Sequence, residues 1–104
     1  MLTLKDLDNI DRNYFNIIHA TSLCVTLQSK NTRHYWHILY EEYPHFKTYQ
    51  IFHKHNEFDA YHFQKNQCSF LKAIETIKAH DNFQINVRNK QRRTHHNHSI
   101  AAGL

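Results

Sequence analysis

Glycine is almost absent from this chain, and its scarcity limits the loops that the chain can build. The only glycine is Gly103, the second-to-last residue. Phosphate-binding loops, dinucleotide-binding turns and several RNA-binding modules need glycine where the backbone approaches a ligand. These glycine-rich sites are therefore excluded from the body of the chain. Asparagine, which tolerates positive φ better than most residues, occupies the predicted turns instead. These positions are Asn31, Asn56, Asn66 and Asn82.

The length and the aromatic content predict one folded domain with a packed core. A chain of 104 residues is long enough to bury such a core without disulfides or structural metals. Six tyrosines, seven phenylalanines and one tryptophan argue against disorder, because each ring buries a large apolar area when it packs.

The N-terminal segment has the pattern of an amphipathic helix. Thr3 and Asp6 are spaced as a capping box at its start. Apolar residues then recur at helical spacing on one face. They are Leu7, Ile10, Tyr14 and Ile17. We expect this helix to end near His19 or Ala20.

The middle of the chain has the period-two alternation of β-strands. Residues 22–29 and 33–41 read as a hairpin with Asn31 in its turn. Pro44 breaks the second strand, because proline removes a backbone donor. Residues 46–53 and 58–64 resume the pattern, with a two-residue turn at Asn56 and Glu57 between them.

A second helix is predicted after the sheet, followed by a short strand. Ser69 caps this helix, and His80, Asp81 and Asn82 end it. Phe83, Ile85 and Val87 alternate as a final strand. The predicted fold class is α+β: an N-terminal helix, an antiparallel sheet of about four strands and a second helix packed on that sheet.

The positive charge is concentrated at the C-terminus. Residues 1–87, the predicted domain, hold nine Lys/Arg and nine Asp/Glu, and residues 88–104 carry the other four cations as a mobile, histidine-rich tail. These cations are Arg88, Lys90, Arg92 and Arg93. They can neutralise about four phosphates, which predicts salt-sensitive nucleic-acid binding through the tail. A solvated tail that only aids solubility is the alternative.

Histidine is the other unusual feature, with eleven in the chain. If Asn56 and Glu57 form a two-residue turn, then His53, His55 and His62 share one sheet face, with His53 diagonal to His62. Three imidazoles can hold zinc and leave a fourth position for water. The alternative is a half-exposed face of a histidine-rich sheet. No other cofactor is expected.

Exposed aromatic residues are a further candidate for binding. We expect Tyr35, Trp36 and Tyr49 to present rings on the sheet, where unpaired bases or a protein partner would stack. The alternative is simple core packing, which accounts for most of the aromatic residues in these strands.

The sequence therefore favours a small accessory protein that binds a macromolecule, most simply nucleic acid, and whose composition suits a phage or mobile element. The first alternative is a nuclease-type enzyme that uses its histidines, with zinc as the candidate metal. The second is a protein-interaction module or inhibitor, for which a homodimer is one arrangement. No family resemblance guides the choice.

Cysteine usage and the N-terminus indicate the compartment. Cys24 and Cys68 lie 44 residues apart with no CxxC spacing, which favours free thiols in a reducing environment. The N-terminus has no apolar run of signal-peptide length, and no stretch is apolar enough to cross a bilayer. We expect a cytoplasmic protein that does not bind membranes.

Overall fold

The computed structural model describes the backbone of residues 1–102 and the side chains of residues 1–90. A short helix precedes five strands, which form one antiparallel sheet in the order β1-β2-β3-β4-β5, and a long helix follows. The elements are α1 (Leu4–Asp8), β1 (Phe15–Ala20), β2 (Cys24–Ser29), β3 (Tyr35–Glu42), β4 (Lys47–Lys54), β5 (His62–Gln67) and α2 (Phe70–Ala102). The predicted α+β class is confirmed.

The N-terminal helix is shorter than its apolar spacing predicts. Its capping box is present, since the Asp6 backbone N–H donates to Thr3 Oγ1 at 3.1 Å and the Thr3 N–H donates to the Asp6 carboxylate at 3.0 Å. The helix ends at Asp8, and Phe15–Ala20 pairs with β2 as a strand. The β-branched and aromatic residues there gain more from a sheet than from a helix. This segment supplies the fifth strand.

The hairpin of β2 and β3 and the break at Pro44 are confirmed. The predicted turn at Asn56 and Glu57 is wrong, because residues 55–61 form a longer connection. Asp59 closes that connection by accepting from the backbone and side-chain N–H groups of Asn56. His53 therefore pairs with His62, and a bulge shifts the pairing so that Ile51 faces Lys65.

Helix α2 starts where Ser69 was predicted to cap it, with the Lys72 N–H donating to Ser69 Oγ at 3.2 Å. It does not stop at His80, Asp81 and Asn82, and it continues through the segment predicted as a final strand. Asp81 is fully buried and His80 packs on Trp36, so these two residues lie toward the core, whereas Asn82 is exposed.

The core lies between α2 and one face of the sheet. Alternate residues of β2, β3 and β4 are buried there, as period-two geometry requires. The largest fully buried side chains include Trp36, Phe15, Leu27, Ile38, Ile51 and Ile77. Full burial of one such side chain contributes about 1.5–3 kcal/mol. The opposite face of the sheet is the outer face, which the described part of α2 does not cover.

The end of the chain differs from its prediction. The segment from residue 88, predicted as an aperiodic tail, has a helical backbone as far as Ala102. The side chains of Arg92, Arg93 and the histidines at 95, 96 and 98 lie outside the described residues. Within the described part of the chain, no helix combines the length and the apolar character that a membrane span requires.

Candidate metal centre

The fold gathers histidines from four places in the chain at one end of the core. His34 ends the turn before β3, His53 lies on β4, His55 follows β4, and His80 lies on α2. The pairing of Trp36 with His53 brings β3 and β4 together at this point, and the two rings stack at 4.0 Å. We call His34, His53, His55 and His80, with His62 beside them on β5, the histidine cluster.

Three members of the cluster lie close enough to share an ion. One ring nitrogen from each of His34, His53 and His55 can be chosen so that all three lie within 4.8 Å of one another. Within this set, His34 Nδ1 and His53 Nε2 are 3.1 Å apart. A tetrahedral zinc with bonds of about 2.0–2.1 Å needs donor atoms roughly 3.3 Å apart. The His34 and His53 pair already meets this spacing, and the third ligand needs to approach by roughly 1.5 Å.

His55 is the ligand that has to move. Its ring stacks parallel to that of His34, with centroids 4.2 Å apart and an interplanar angle of 9°. Parallel rings direct their lone pairs side by side, so His55 must rotate to aim a nitrogen at a shared ion. His55 is exposed, whereas His34 and His53 are buried. A surface side chain changes rotamer on the picosecond to nanosecond scale, so two fixed ligands and one movable ligand fit this site.

Burial favours the uncharged form of His34, His53 and His80. Desolvation lowers the pKa of His53 to about 3 and that of His34 to about 4, and neighbouring histidines act in the same direction. Desolvation also lowers the pKa of His80. A metal binds only the neutral imidazole, because protonation occupies the lone pair that it needs. His34 and His53 therefore have the protonation state that metal binding requires at neutral pH.

Two buried nitrogens beside these ligands are unsatisfied. Among the described side chains, His80 Nδ1 and Trp36 Nε1 are buried and lack a hydrogen-bond partner. The His80 ring lies 4.7 Å from that of His53. A buried polar atom without a partner costs about 1–3 kcal/mol, and such atoms concentrate where a ligand, ion or water belongs. His80 is therefore placed to support an ion held by His53.

Asp81 holds two members of the histidine cluster in place through its hydrogen bonds. Its carboxylate accepts hydrogen bonds from Tyr14 Oη at 2.7 Å, Ser29 Oγ at 2.6 Å and Thr32 Oγ1 at 3.0 Å. Ser29 and Thr32 belong to the end of β2 and the turn that leads to His34. Asp81 thereby ties α2 to that turn, and it holds its neighbour His80 at the core.

An open cleft of about 420 Å³ adjoins the cluster. His34 and His55 line it, together with Arg33 and Glu57. Arg33 has φ 66°, the only positive φ at a non-glycine residue in the described chain. Asn31 was predicted to take that conformation, but Arg33 takes it. Non-glycine residues in this region carry strain that is often found at functional sites.

The predicted metal ligands are partly brought together. His53 and His55 lie in the three-histidine group, but His34 takes the third place that His62 was predicted to fill. His62 is exposed, with its ring edge-on to His53 at 5.4 Å. The longer connection over residues 55–61 changes the register, so that His62 pairs directly with His53 and not diagonally as predicted.

The predicted aromatic surface does not form. Trp36 is 0% exposed and Tyr49 is 4% exposed, so both rings belong to the core and offer no face to a base. Tyr35 follows the alternation onto the outer face, where Lys54 Nζ lies 5.3 Å from its ring centroid. The three residues therefore do not make one surface.

The predicted cations are only partly described. Arg88 and Lys90 are exposed on α2. The charge of Arg88 is close enough to His34 to contribute to its lowered pKa, after burial and His55. Arg92 and Arg93 belong to the side chains that the structure does not describe.

Sequence reasoning missed His34 and His80 as members of the site. The signal for His34 was its shared alternation with Trp36 and Ile38, which places it on the core face. The signal for His80 was its spacing of three from Ile77, on the apolar stripe of α2. Both were explained without function, as packing and as helix capping. No family model, no curated protein and no solved structure matches this chain.

Proposed function

We propose that this protein binds a divalent transition metal, zinc in the first place, through His34, His53 and His55. The observation that carries the proposal is the convergence of three imidazoles whose nitrogens lie within 4.8 Å of one another, two of the rings being buried. Imidazole nitrogen is a common ligand of zinc, and three such ligands leave a fourth position open. His80, with its buried unpartnered nitrogen, stands next to this set.

The alternative is a group of packed histidines that satisfy one another. The bond between His34 and His53 satisfies one nitrogen of each ring, so packing alone explains that pair. It does not explain why a third imidazole and the unpartnered nitrogen of His80 lie against the same pair. A metal would replace the hydrogen that joins His34 Nδ1 to His53 Nε2 and would take His55 as its third ligand.

Hydrolysis of a phosphodiester is the activity that the surroundings favour. A zinc ion with three protein ligands lowers the pKa of a bound water to about 7 and so supplies hydroxide. Arg33 lines the adjoining cleft, and Arg88 acts electrostatically on His34. Two guanidinium groups near a metal suit a phosphate, because arginine binds its oxygens through paired N–H donors. Such an activity would combine the nucleic-acid-binding hypothesis and the nuclease hypothesis in one site.

The metal proposal is tested by loading the full chain with zinc and measuring metal content after dialysis. The histidines at 95, 96 and 98 form a tract that binds metal by itself, so the parent protein for this test carries alanine at all three. We expect one zinc per chain in that parent. His55→Ala removes an exposed ligand at little cost to folding, and we expect it to weaken zinc binding at least tenfold.

The matched control is His45→Ala, which removes an exposed histidine from the turn between β3 and β4. Zinc affinity should not change in this variant. Zinc that disappears with the C-terminal tract, or that His55→Ala leaves unaffected, would contradict the proposal. The unfolding midpoint gives a second readout, because a ligand at 100 times its Kd stabilises the folded state by about 2.7 kcal/mol.

The activity is tested with bis(p-nitrophenyl) phosphate as the probe. We expect hydrolysis that depends on zinc, disappears with His55→Ala and falls with Arg88→Ala. Lys72→Ala is the control, since Lys72 is an exposed cation near the start of the same helix. If zinc binds and the probe is not cleaved, then the site binds metal without this chemistry.

A further inference from the structure

A cysteine and a histidine face each other on the outer face of the sheet, opposite the histidine cluster. Cys24 on β2 and His37 on β3 are brought together because Thr26 pairs directly with His37. Cys24 Sγ lies 2.8 Å from His37 Nε2, and Thr26 Oγ1 lies 3.0 Å from His37 Nδ1. Neither contact takes part in the core packing.

This order of groups is that of an activated nucleophile. A thiol touches a base, and a third group orients that base. With the Nδ1 proton donated to Thr26 Oγ1, Nε2 of His37 carries the lone pair. Cys24 Sγ lies 2.8 Å from Nε2 and 3.4 Å from Nδ1, so the sulfur lies beside the ring, and a rotation of the imidazole aims the lone pair at it. Thr26 is therefore a positioning residue for His37, and its side chain also hydrogen-bonds to the Cys24 thiol.

The pair rests uncharged. Burial raises the pKa of the Cys24 thiol. Burial, with a smaller contribution from His19, lowers the pKa of His37. The titratable groups around His37 are Cys24 on β2, His19 on β1 and Tyr61 before β5. A neutral thiol beside a neutral imidazole transfers its proton during reaction, unlike a thiolate that is formed in advance.

The surroundings favour an apolar reactant. The rings of Phe52 and Tyr61 lie 6.3 Å and 5.4 Å from the His37 ring. Phe63, which pairs with Phe52 across β4 and β5, is 55% exposed. An apolar group bound there would cover surface that water now contacts.

We propose that Cys24 is a base-assisted nucleophile for α,β-unsaturated carbonyl compounds with an apolar substituent. The sulfur attacks the β-carbon and forms a C–S bond while His37 Nε2 takes the thiol proton. The carbon–carbon π pair moves onto the carbonyl as an enolate, and the imidazolium returns the proton to the α-carbon. The addition needs no oxidant and releases no leaving group, so the pair alone completes it.

The test uses N-ethylmaleimide, an electrophile of this class, and follows both thiols by peptide mass mapping. Cys68 is exposed and serves as the reference within the same molecule. A free thiol reacts through its thiolate, so the rate at Cys68 should rise about tenfold from pH 6.5 to 7.5. The rate at Cys24 should change less than about threefold, because His37 is already neutral across that range.

The matched variants are His37→Asn and His45→Asn. His37→Asn keeps a polar side chain but no base, and we expect it to slow Cys24 at least tenfold while Cys68 is unchanged. Its remaining reactivity should then follow the pH dependence of Cys68. His45→Asn makes the same change at an exposed turn and should alter neither rate. Thr26→Val should slow Cys24 less than His37→Asn does.

The proposal is overturned if Cys24 in the unsubstituted protein shows the same pH dependence as Cys68. It is also overturned if a folded His37→Asn variant reacts at the parent rate. If that variant does not fold, the pH profile of the unsubstituted protein decides alone. All rates are measured with a chelator present, so the outcome does not depend on zinc at the histidine cluster.

Discussion

Asp81 holds together the segments that meet beside the histidine cluster. The carboxylate is fully buried, and its hydrogen-bond donors are three hydroxyl groups, from Tyr14, Ser29 and Thr32. A buried carboxylate is costly unless it is well hydrogen-bonded, and three short bonds meet that need. Since the donors belong to different segments, Asp81 joins α2 to the start of β1 and to the turn after β2.

Removal of this carboxylate should destabilise the protein strongly. Asp81→Ala leaves three hydroxyls without their acceptor, and we expect the free energy of unfolding to fall by at least about 2 kcal/mol. Tyr14→Phe removes one donor and should cost about 1.5 kcal/mol. Both are measured by urea denaturation. Glu75→Ala, an exposed acid on the same helix, should stay within about 0.5 kcal/mol of the parent. If Asp81→Ala and Glu75→Ala lowered the free energy of unfolding equally, the hydrogen bonds of Asp81 would not stabilise the fold.

The same residue shows why α2 was predicted too short. His80, Asp81 and Asn82 have the composition of a helix stop, and hydropathy cannot distinguish a polar residue at a loop from one that is buried with partners. The partners of Asp81 lie 49 to 67 positions away in the chain. Only the folded arrangement supplies them.

At the scale of elements, the strands were the most predictable part. Alternation over β2, β3 and β4 reflects one buried face and one outer face, and it appears directly in the sequence. β1 was mistaken for helix because Leu7, Ile10 and Tyr14 fit a helical spacing while Phe15 and Ile18 were left out of the pattern. Pairing with β2 decides this segment, and no local pattern contains that information.

In the turn between β2 and β3, a residue that disfavours positive φ adopts it. Arg33 has φ 66°, donates its N–H to Ser29 O at 2.9 Å and leads into His34. A side chain with a Cβ costs about 1–2 kcal/mol in this conformation, and glycine does not carry that cost.

Two variants measure the free-energy cost of a Cβ at this positive φ. Arg33→Gly and Arg33→Ala both remove the guanidinium, and they differ in the Cβ that clashes at positive φ. We expect Arg33→Gly to be more stable than Arg33→Ala by roughly 1 kcal/mol, measured as a difference in urea midpoint. Glycine normally destabilises a chain relative to alanine, so the opposite order would mean that this turn is not held at positive φ in solution.

At the scale of the whole molecule, the histidine cluster depends on how distant segments meet. The number of histidines suggested a site built from them, and alternation placed His53 on a sheet face. The place of His34 beside His53 depends on the pairing of β3 with β4, and that of His80 depends on the packing of α2 against the sheet. Local sequence patterns contain neither, which is why the sequence identified two of the three histidines that converge.

The buried histidines also predict how the whole fold responds to acid when metal is absent. In the folded protein the pKa of His53 is lowered to about 3 and that of His34 to about 4, whereas an unfolded histidine has a pKa of about 6.5. Between these values the unfolded chain binds protons that the folded chain excludes. Stability is therefore fully present above about pH 6.5 and is lost as the pH falls toward 4.

Urea denaturation in EDTA between pH 7 and pH 5 measures this loss. Each fully excluded proton contributes about 1.4 kcal/mol per pH unit, so His34 and His53 together give a limiting slope of roughly 2.7 kcal/mol per unit, and His37 and His80, whose pKa values are also lowered, add to it. The window lies above the pH range in which Asp and Glu titrate, so carboxylates contribute little to the slope. His53→Phe keeps a ring against Trp36 but cannot titrate, and we expect the slope to fall by roughly 1.4 kcal/mol per unit. His45→Ala, an exposed site, should leave the slope unchanged. A parent slope near zero, or a His53→Phe slope equal to that of the parent, would mean that these imidazoles take up protons in the folded state and that the cluster opens readily to water.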